Sequence, residues 1–377
     1  MTSRMRRHGA RTCAVAALAL AALAAAWWWW PPDPIRVLRA HAPALARVER
    51  EPAPLLGARV QHWRLISSAG DTATALWRGA PPGTAAPWTV VLLGGLHTGD
   101  RAALLLPPDG PFNALAVDWP WHGPRRMTPW RFVLEAPAIR TAVLRSPGAL
   151  ARGVEAAVRA PEVDAERIAL LGASLGVPPA LAALRLTRAP RALVLVDGAA
   201  DLRALLETGL EREQIPAVLA APLAALGSRL VRPLEPSLHV GAAARLPVLL
   251  INGEADEFLP RAAVRRLQQG LPHARVRWRP GPHLRPGRAQ LIADLASEVV
   301  GWLETLPRGA RSPRPGRPGA RHPPATDPLR RPTRASTTST ACAPFSCSGT
   351  NSERGPTTTN ACMALSRSSK PAATSAK

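Results

Sequence analysis

The stretch Ile168-Ala169-Leu170-Leu171-Gly172-Ala173-Ser174-Leu175-Gly176 decides the fold of this chain. It is a short apolar run that ends in Gly-x-Ser-x-Gly and continues into a segment rich in Ala and Leu. Such a run predicts a buried strand, a sharp turn and then a helix. A serine at that turn has its hydroxyl held clear of the sheet, and the flanking glycines leave room for the strained backbone. The pattern therefore predicts a nucleophile at Ser174.

Further buried-strand candidates lie on both sides of this motif. Two β-patterned stretches come first, at 60–66 and 74–77. The apolar candidates that follow are 88–93, 114–117, 168–171, 193–196, 248–251 and 274–278. The helix-like segments between and after them are about 147–160, 175–187, 201–225, 260–270 and 287–305. Apolar strands that alternate with helices predict an α/β fold, in which a mostly parallel sheet has helices on both faces. The opening pair would add antiparallel strands at one edge.

Composition divides the chain into four parts. We predict a signal peptide or membrane anchor at 1–34, a connecting segment with some helical content at 35–57, and the α/β domain at 58–306. Residues 198–246 are longer than an ordinary crossover and predict a short helical lid over the strand ends. Residues 307–377 are rich in Arg, Pro, Ser and Thr without apolar periodicity, which predicts a disordered basic tail.

The N-terminal segment has the charge pattern of a targeting element. Four arginines within residues 1–12 precede an uncharged run from Cys13 to Trp30, and Pro31-Pro32-Asp33-Pro34 ends that run. Positive charge before an apolar stretch is typical of a signal peptide or a membrane anchor. We therefore expect the folded domain to be exported across, or anchored in, the cytoplasmic membrane, with the membrane as a partner if the leader is uncleaved. Cleavage and retention both stay open.

Charge and cysteine usage exclude several classes of protein. The formal net charge is +22, but residues 308–377 hold 12 Lys or Arg against 2 acids, so much of the excess lies at the ends. Tyr is absent and Phe is scarce, so base-stacking platforms and nucleic-acid partners are not expected. The four cysteines are Cys13, Cys342, Cys347 and Cys362, outside the predicted fold. We therefore expect no disulfide framework, no metal site and no organic cofactor.

Two later strand ends supply partners for the serine. The strand at 248–251 is followed by an acidic loop that contains Asp256, and His283 follows the last predicted strand. Because the carboxyl ends of parallel strands meet at one edge of a sheet, we expect these side chains to approach Ser174. Asp197, which follows the preceding strand, is a rival acid. Asp256 has an alternative role as a helix cap.

Residues 58–305 resemble the serine hydrolases of the α/β-hydrolase fold, a superfamily of esterases, lipases and dienelactone-hydrolase-like proteins. The resemblance rests on Gly-Ala-Ser-Leu-Gly at 172–176, Leu-Leu-Gly-Gly-Leu-His-Thr-Gly at 92–99, Asp-Trp-Pro-Trp-His-Gly at 118–123 and Asn-Gly-Glu-Ala-Asp at 252–256. It implies hydrolysis of a carboxylic ester through an acyl-enzyme, with a small-molecule acyl substrate. A thioester, amide or peptide bond would need the same residues.

The resemblance also implies residue roles. Ser174 would be the nucleophile, His283 the base and Asp256 the acid, with an oxyanion hole from the backbone N–H groups of Leu175 and Leu96. Many relatives have His-Gly where this chain has Gly94-Gly95, which leaves the second donor open between Gly95 and Leu96. Proline precedes the histidine in place of the usual glycine, which stiffens that loop.

Two interpretations stay open at this stage. The first is the serine hydrolase, and the alternative is a catalytically inactive α/β-hydrolase-fold binding or scaffold protein at the membrane. Asp118 and His122 alone are thin support for a metal site, so we expect local hydrogen bonds to hold their loop. Trp119, Trp121 and Trp130 line a pocket or fill the core. His97 is structural or touches substrate.

Overall fold

A computed structural model describes residues 32–95, 98–121, 123–124 and 129–307. The predicted leader up to residue 31 and the predicted tail from residue 308 lie outside the described residues. Leu96, His97 and His122 also lie outside them. Within the described ranges, no helix combines the length and the apolar character that a bilayer crossing requires.

Nine strands of the described residues form one sheet. They are β1 (Leu45–Pro52), β2 (Val60–Ser67), β3 (Thr72–Arg78), β4 (Trp88–Leu93), β5 (Phe112–Val117), β6 (Ile168–Ala173), β7 (Ala192–Val196), β8 (Val248–Gly253) and β9 (Arg275–Arg279). Their order is β1-β2-β3-β5-β4-β6-β7-β8-β9. Three neighbouring pairs are antiparallel: β1 with β2, β2 with β3, and β3 with β5. The remaining pairs, along the order β5-β4-β6-β7-β8-β9, are parallel. The predicted mostly parallel sheet with an antiparallel edge is confirmed.

Helices cover both faces of the sheet. They are α1 (Pro34–Ala40), α2 (Ala102–Leu105), α3 (Pro129–Val158), α4 (Val177–Ala183), α5 (Leu202–Arg212), α6 (Ala217–Leu230), α7 (Arg261–Gly270) and α8 (Ala289–Glu304). One apolar core joins the sheet to α3, α4 and α7, and a second joins its other face to α2 and α8. Alternate residues of β4 enter the two cores, with Val91 and Leu93 in the first and Val90 and Leu92 in the second. Burial on both faces explains why these strands are continuous apolar runs.

Three elements differ from the sequence-based expectation. Residues 35–57, predicted as a connecting segment, contain α1 and the strand β1, which pairs with β2 at the sheet edge. Within β1 only Leu45 is buried, so the strand has no apolar period to detect. Helix α3 begins at Pro129, well before the predicted start at about 147. The prediction began too late because Pro137 and Pro147, which interrupt the helical sequence pattern, lie inside the helix without ending it. The segment predicted as one helix over 201–225 forms α5 and α6.

The carboxyl ends of β6, β7, β8 and β9 lie at one edge, since these strands are parallel neighbours. Ser174 follows β6 directly, and Asp197 follows β7. Asp256 and His283 lie in the loops after β8 and β9. The sheet topology therefore delivers four polar side chains from distant parts of the sequence to one place.

Candidate active site

Ser174 lies in a strained turn between β6 and α4. Its φ is +54°, in the left-handed region that non-glycine residues seldom adopt. The strain persists because a short 3₁₀ turn, Ser174–Gly176, connects a buried strand to a buried helix and fixes the backbone between them. The Ser174 side chain is half-buried, and Leu175 next to it is 50% exposed. The turn presents the hydroxyl at the sheet edge, where a substrate can reach it.

The two glycines of the motif are required by close backbone packing. A Cβ atom on Gly172 would lie 2.7 Å from the carbonyl oxygen of Gly176. A Cβ atom on Gly176 would lie 2.0 Å from the carbonyl oxygen of Leu93, at the end of β4. Neither position can hold a side chain without moving main chain. The spacing of the motif thus follows from the contact between the turn and the neighbouring strand.

His283 connects the serine to a carboxylate. Its Nε2 atom lies 2.7 Å from Ser174 Oγ, and its Nδ1 atom lies 2.7 Å from Asp256 Oδ2. Since an ionised carboxylate only accepts, Nδ1 carries the proton and donates to Asp256, and Nε2 is free to accept the serine proton. The structure thus brings together all three residues predicted from the sequence.

Asp256 is oriented by its own loop. Its Oδ1 atom accepts hydrogen bonds from the backbone N–H groups of Phe258, at 2.8 Å, and Leu259, at 3.1 Å. Its Oδ2 atom faces the imidazole. Because one oxygen is held by the main chain, the carboxylate cannot turn away from His283 without losing both bonds. The alternative role that the sequence left open, a helix cap, is not realised, because Phe258 and Leu259 precede α7, which begins at Arg261 and has Pro260 at its N-cap.

The rival acid, Asp197, lies behind the histidine. Its Oδ2 atom is 3.7 Å from His283 Nδ1, beyond hydrogen-bond distance. The same oxygen accepts from the guanidinium of Arg279 at 2.6 Å and from the Leu284 amide at 2.6 Å. Oδ1 accepts from the Gly253 amide at 3.0 Å. Asp197 is therefore fully engaged elsewhere, and Asp256 is the carboxylate that contacts the imidazole.

This group of two carboxylates and one imidazole has donor atoms within 4.8 Å of one another, a spacing that a metal ion could use. In the structure each of these donor atoms faces a protein partner. Nδ1 faces Asp256, Nε2 faces Ser174, and Asp197 is paired with the positive charge of Arg279. These atoms therefore form a chain of hydrogen bonds within the protein rather than a metal-binding site.

The loop that carries His283 is held from both sides. Arg279 donates through Nη1 to the carbonyl of Pro282 at 2.7 Å, and the His283 amide donates to Glu257 Oε2 at 3.1 Å. The Phe258 ring lies 5.0 Å from the imidazole, centroid to centroid. Arg279 and Glu257 were missed by sequence reasoning. The detectable signal for Arg279 was its place just before Gly281-Pro282-His283, since Arg279 ends β9.

Glu257 has an unusual acidity for a side chain at the surface. Desolvation raises the pKa of Glu257, but the backbone N–H groups of Glu257 and His283 and the guanidinium of Arg285 outweigh it and lower the pKa to about 2. Because the folded-state pKa lies below the ordinary 4.5, the ionised carboxylate stabilises the loop at neutral pH. That stabilisation is lost as pH falls from about 4.5 to about 2.

We expect Glu257→Gln to lower the melting temperature at neutral pH by about 2–4 °C, because the side chain is partly solvated and its interactions are screened. The deficit relative to wild type should shrink as the pH falls below about 4.5, where wild type loses the same interaction. Melting curves by circular dichroism at neutral and acidic pH measure both effects. Glu254→Gln, an exposed position on the same loop, is the control. A deficit that stays constant with pH would contradict the assignment.

The predicted oxyanion donors are described in part. Leu175 is the second residue of the 3₁₀ turn, directly after the serine. Gly95 is half-buried after β4, and its carbonyl accepts from the Thr98 amide at 2.9 Å. The other proposed donor, Leu96, lies outside the described residues. The oxyanion hole stays a prediction. The end of β4, at Leu93, packs closely against Gly176 in the turn that carries Ser174.

The tryptophans of the 118–123 segment pack against the core. Trp119 is buried and donates through its indole N–H to the carbonyl of Gly94 at 3.0 Å, which ties the end of β4 in place. Trp121 is partly buried against the same core. Asp118 accepts a hydrogen bond from the Trp119 amide at 2.8 Å, a local bond of the kind predicted for this loop. This segment supports the loop after β4.

Comparison with known proteins establishes the fold. No protein-family model and no curated protein sequence matches the chain. The acetyl xylan esterase 1 of a Thermoanaerobacterium species aligns with a TM-score of 0.52 at 15% identity, over 73% of this chain and 95% of its own. A puromycin-hydrolyzing peptidase of Mycobacterium tuberculosis aligns with a TM-score of 0.50 at 20% identity, over 69% of this chain and 42% of its own. At these identities the likeness shows the fold alone, and the predicted α/β-hydrolase fold is confirmed.

Proposed function

We propose that this α/β-hydrolase-fold chain is a serine hydrolase that cleaves a carboxylic ester bond through an acyl-enzyme. The observation that carries the proposal is the pair of 2.7 Å contacts that His283 makes, through Nε2 to Ser174 and through Nδ1 to Asp256. The strained backbone at Ser174 supports it, since strain of this kind is concentrated at functional sites. The structurally similar acetyl xylan esterase is named for ester cleavage and agrees with this reaction class.

The contacts of His283 support a path for each proton in the proposed acyl transfer. The Ser174 hydroxyl attacks the carbonyl carbon while its proton passes to His283 Nε2, and the Asp256 carboxylate stabilises the imidazolium that forms. The leaving alcohol takes the proton from Nε2 as the ester C–O bond breaks. Water then attacks the acyl-enzyme, with His283 again accepting and returning a proton. Backbone N–H donors at the oxyanion each contribute about 3–4 kcal/mol in other enzymes.

The surroundings of the hydroxyl favour an apolar acyl group. Leu175 follows the nucleophile and is 50% exposed, so an apolar side chain borders the position where the substrate carbonyl would bind. A half-exposed leucine at this place loses water contact when an acyl chain covers it. We therefore propose a small or medium-sized ester with an apolar acyl part.

A hydrolysis screen tests the proposed function. We expect turnover of p-nitrophenyl esters, with a preference for acyl chains longer than acetyl, and covalent labelling by a fluorophosphonate probe. Thioester and peptide substrates in the same screen assign the bond type. Folded protein that neither hydrolyses an ester nor accepts the probe would contradict the proposal and favour the inactive binding protein instead.

A further inference from the structure

We propose that Arg279 determines which of two carboxylates serves His283, and that Asp197 is a reserve acid which Arg279 keeps out of use. The inference rests on the proposed function, because it concerns the same histidine. Arg279 is here a positioning residue: it touches neither the serine nor the position of the substrate, and it acts through Asp197 and through the loop of His283.

The first step is the burial of the ion pair. Asp197 is fully buried, and the side chain of Arg279 is only 7% exposed. Their contact of 2.6 Å joins two residues that are 82 positions apart in the chain. Because a buried charge without a partner is strongly destabilising, each of these groups depends on the other. Asp197 therefore stays paired with Arg279 as long as the guanidinium is present.

The second step is the distance to the imidazole. Asp256 Oδ2 lies 2.7 Å from His283 Nδ1, and Asp197 Oδ2 lies 3.7 Å from the same atom. A displacement of about an ångström would bring Asp197 into hydrogen-bond distance. Arg279 opposes that displacement, since it holds the same oxygen and also holds the Pro282 carbonyl next to the histidine. The guanidinium thus fixes both the reserve acid and the loop on which the base is carried.

The third step concerns the charged groups that surround the imidazolium formed during the reaction. Asp256 and Asp197 face Nδ1, and Arg279 neutralises Asp197. Glu257 faces the His283 amide and is paired with Arg285, and the Arg212 guanidinium lies 4.0 Å from the centre of the Phe258 ring that packs on the imidazole. Removal of Arg279 leaves a second negative charge beside the imidazole, which favours the protonated ring. The acidic limb of the pH–rate profile of Arg279→Met should then move to higher pH than that of wild type.

The experiment compares Asp256→Ala with the double variant Asp256→Ala/Arg279→Met. Alanine is used at 256 so that no amide group donates to Nδ1 in competition. We expect Asp256→Ala to lower kcat/KM for the best ester by about 10³–10⁴-fold. The double variant should recover at least about tenfold over Asp256→Ala, because Asp197, then held only by the Leu284 and Gly253 amides, can approach the histidine. Loss of a merely structural residue would lower activity further.

Three variants sharpen the result. Adding Asp197→Asn to the double variant should cancel the recovery. Arg279→Lys keeps the positive charge, so it should not rescue Asp256→Ala and should leave the pH profile of the otherwise native enzyme in place. If the methionine variants do not fold, Arg279→Gln takes their place and the same rank order is required. A folded double variant that is no more active than Asp256→Ala would overturn the proposal.

The design separates this inference from the proposed function. If the wild-type chain hydrolyses no ester and accepts no fluorophosphonate, the proposed function fails. If wild type is active and labelled but removal of Arg279 neither rescues Asp256→Ala nor shifts the acidic limb, only the role of Arg279 fails.

Discussion

Ser174→Ala should reduce turnover of the best ester by about 10⁴–10⁶-fold and leave the melting temperature almost unchanged. The substitution removes Oγ, the atom that forms the acyl bond in the proposed mechanism, together with the hydrogen bond to His283 Nε2. The side chain is half-buried and contributes little to the core, so the fold should tolerate its loss. The activity change reports chemistry and the melting temperature reports structure, which allows the two to be separated.

Steady-state kinetics, fluorophosphonate labelling and thermal melting measure the effect of Ser174→Ala. Ser228→Ala is a matched control, because that serine in α6 is also partly buried and donates to a nearby carbonyl, that of Ala225 at 3.0 Å. It should keep both turnover and labelling. A Ser174→Ala protein that still accepts the probe would show that the nucleophile is another residue.

Much of the fold follows from the sequence because the strands are buried on both faces. β4 and β8 are buried at every position, so their apolar runs stand out from their surroundings. β1 has no such apolar run, since it is an edge strand whose charged side chains are exposed to water. Its place depends on pairing with β2, a contact that no local pattern contains.

The candidate site was predictable for a related reason. Ser174 has a local motif, and the acid and the histidine follow strand ends that parallel topology brings together. The sequence favoured Asp256 as the acid, but it left Asp197 as a rival, because both residues follow buried strands. That choice is made by Arg279, which reaches Asp197 only in the folded chain. Sequence patterns assign charged residues such as Arg279 and Glu257 to the surface, because their partners are brought close only by the fold.

Gly176→Ala should destabilise the fold by about 3 kcal/mol or more, the upper part of the range for overpacking, and lower the melting temperature by about 10 °C. The added Cβ would lie 2.0 Å from the carbonyl oxygen of Leu93 and 2.8 Å from its carbon. Both atoms belong to the main chain of β4, which pairs with β5 on one side and β6 on the other. Neither can yield without disturbing the centre of the sheet.

Gly209→Ala is the matched control for this substitution. A Cβ on Gly209 in α5 meets no atom within 4 Å, so alanine there should leave stability unchanged or raise it by about 0.5–1 kcal/mol through its better helix propensity. If Gly176→Ala folds at all, relief of the clash must move the turn away from β4. The Ser174 hydroxyl would then leave His283 Nε2, and kcat should fall with stability. A Gly176→Ala protein as stable as Gly209→Ala would contradict the close packing of the Ser174–Gly176 turn against β4. It would also contradict the position of Ser174 on which the proposed nucleophilic attack depends.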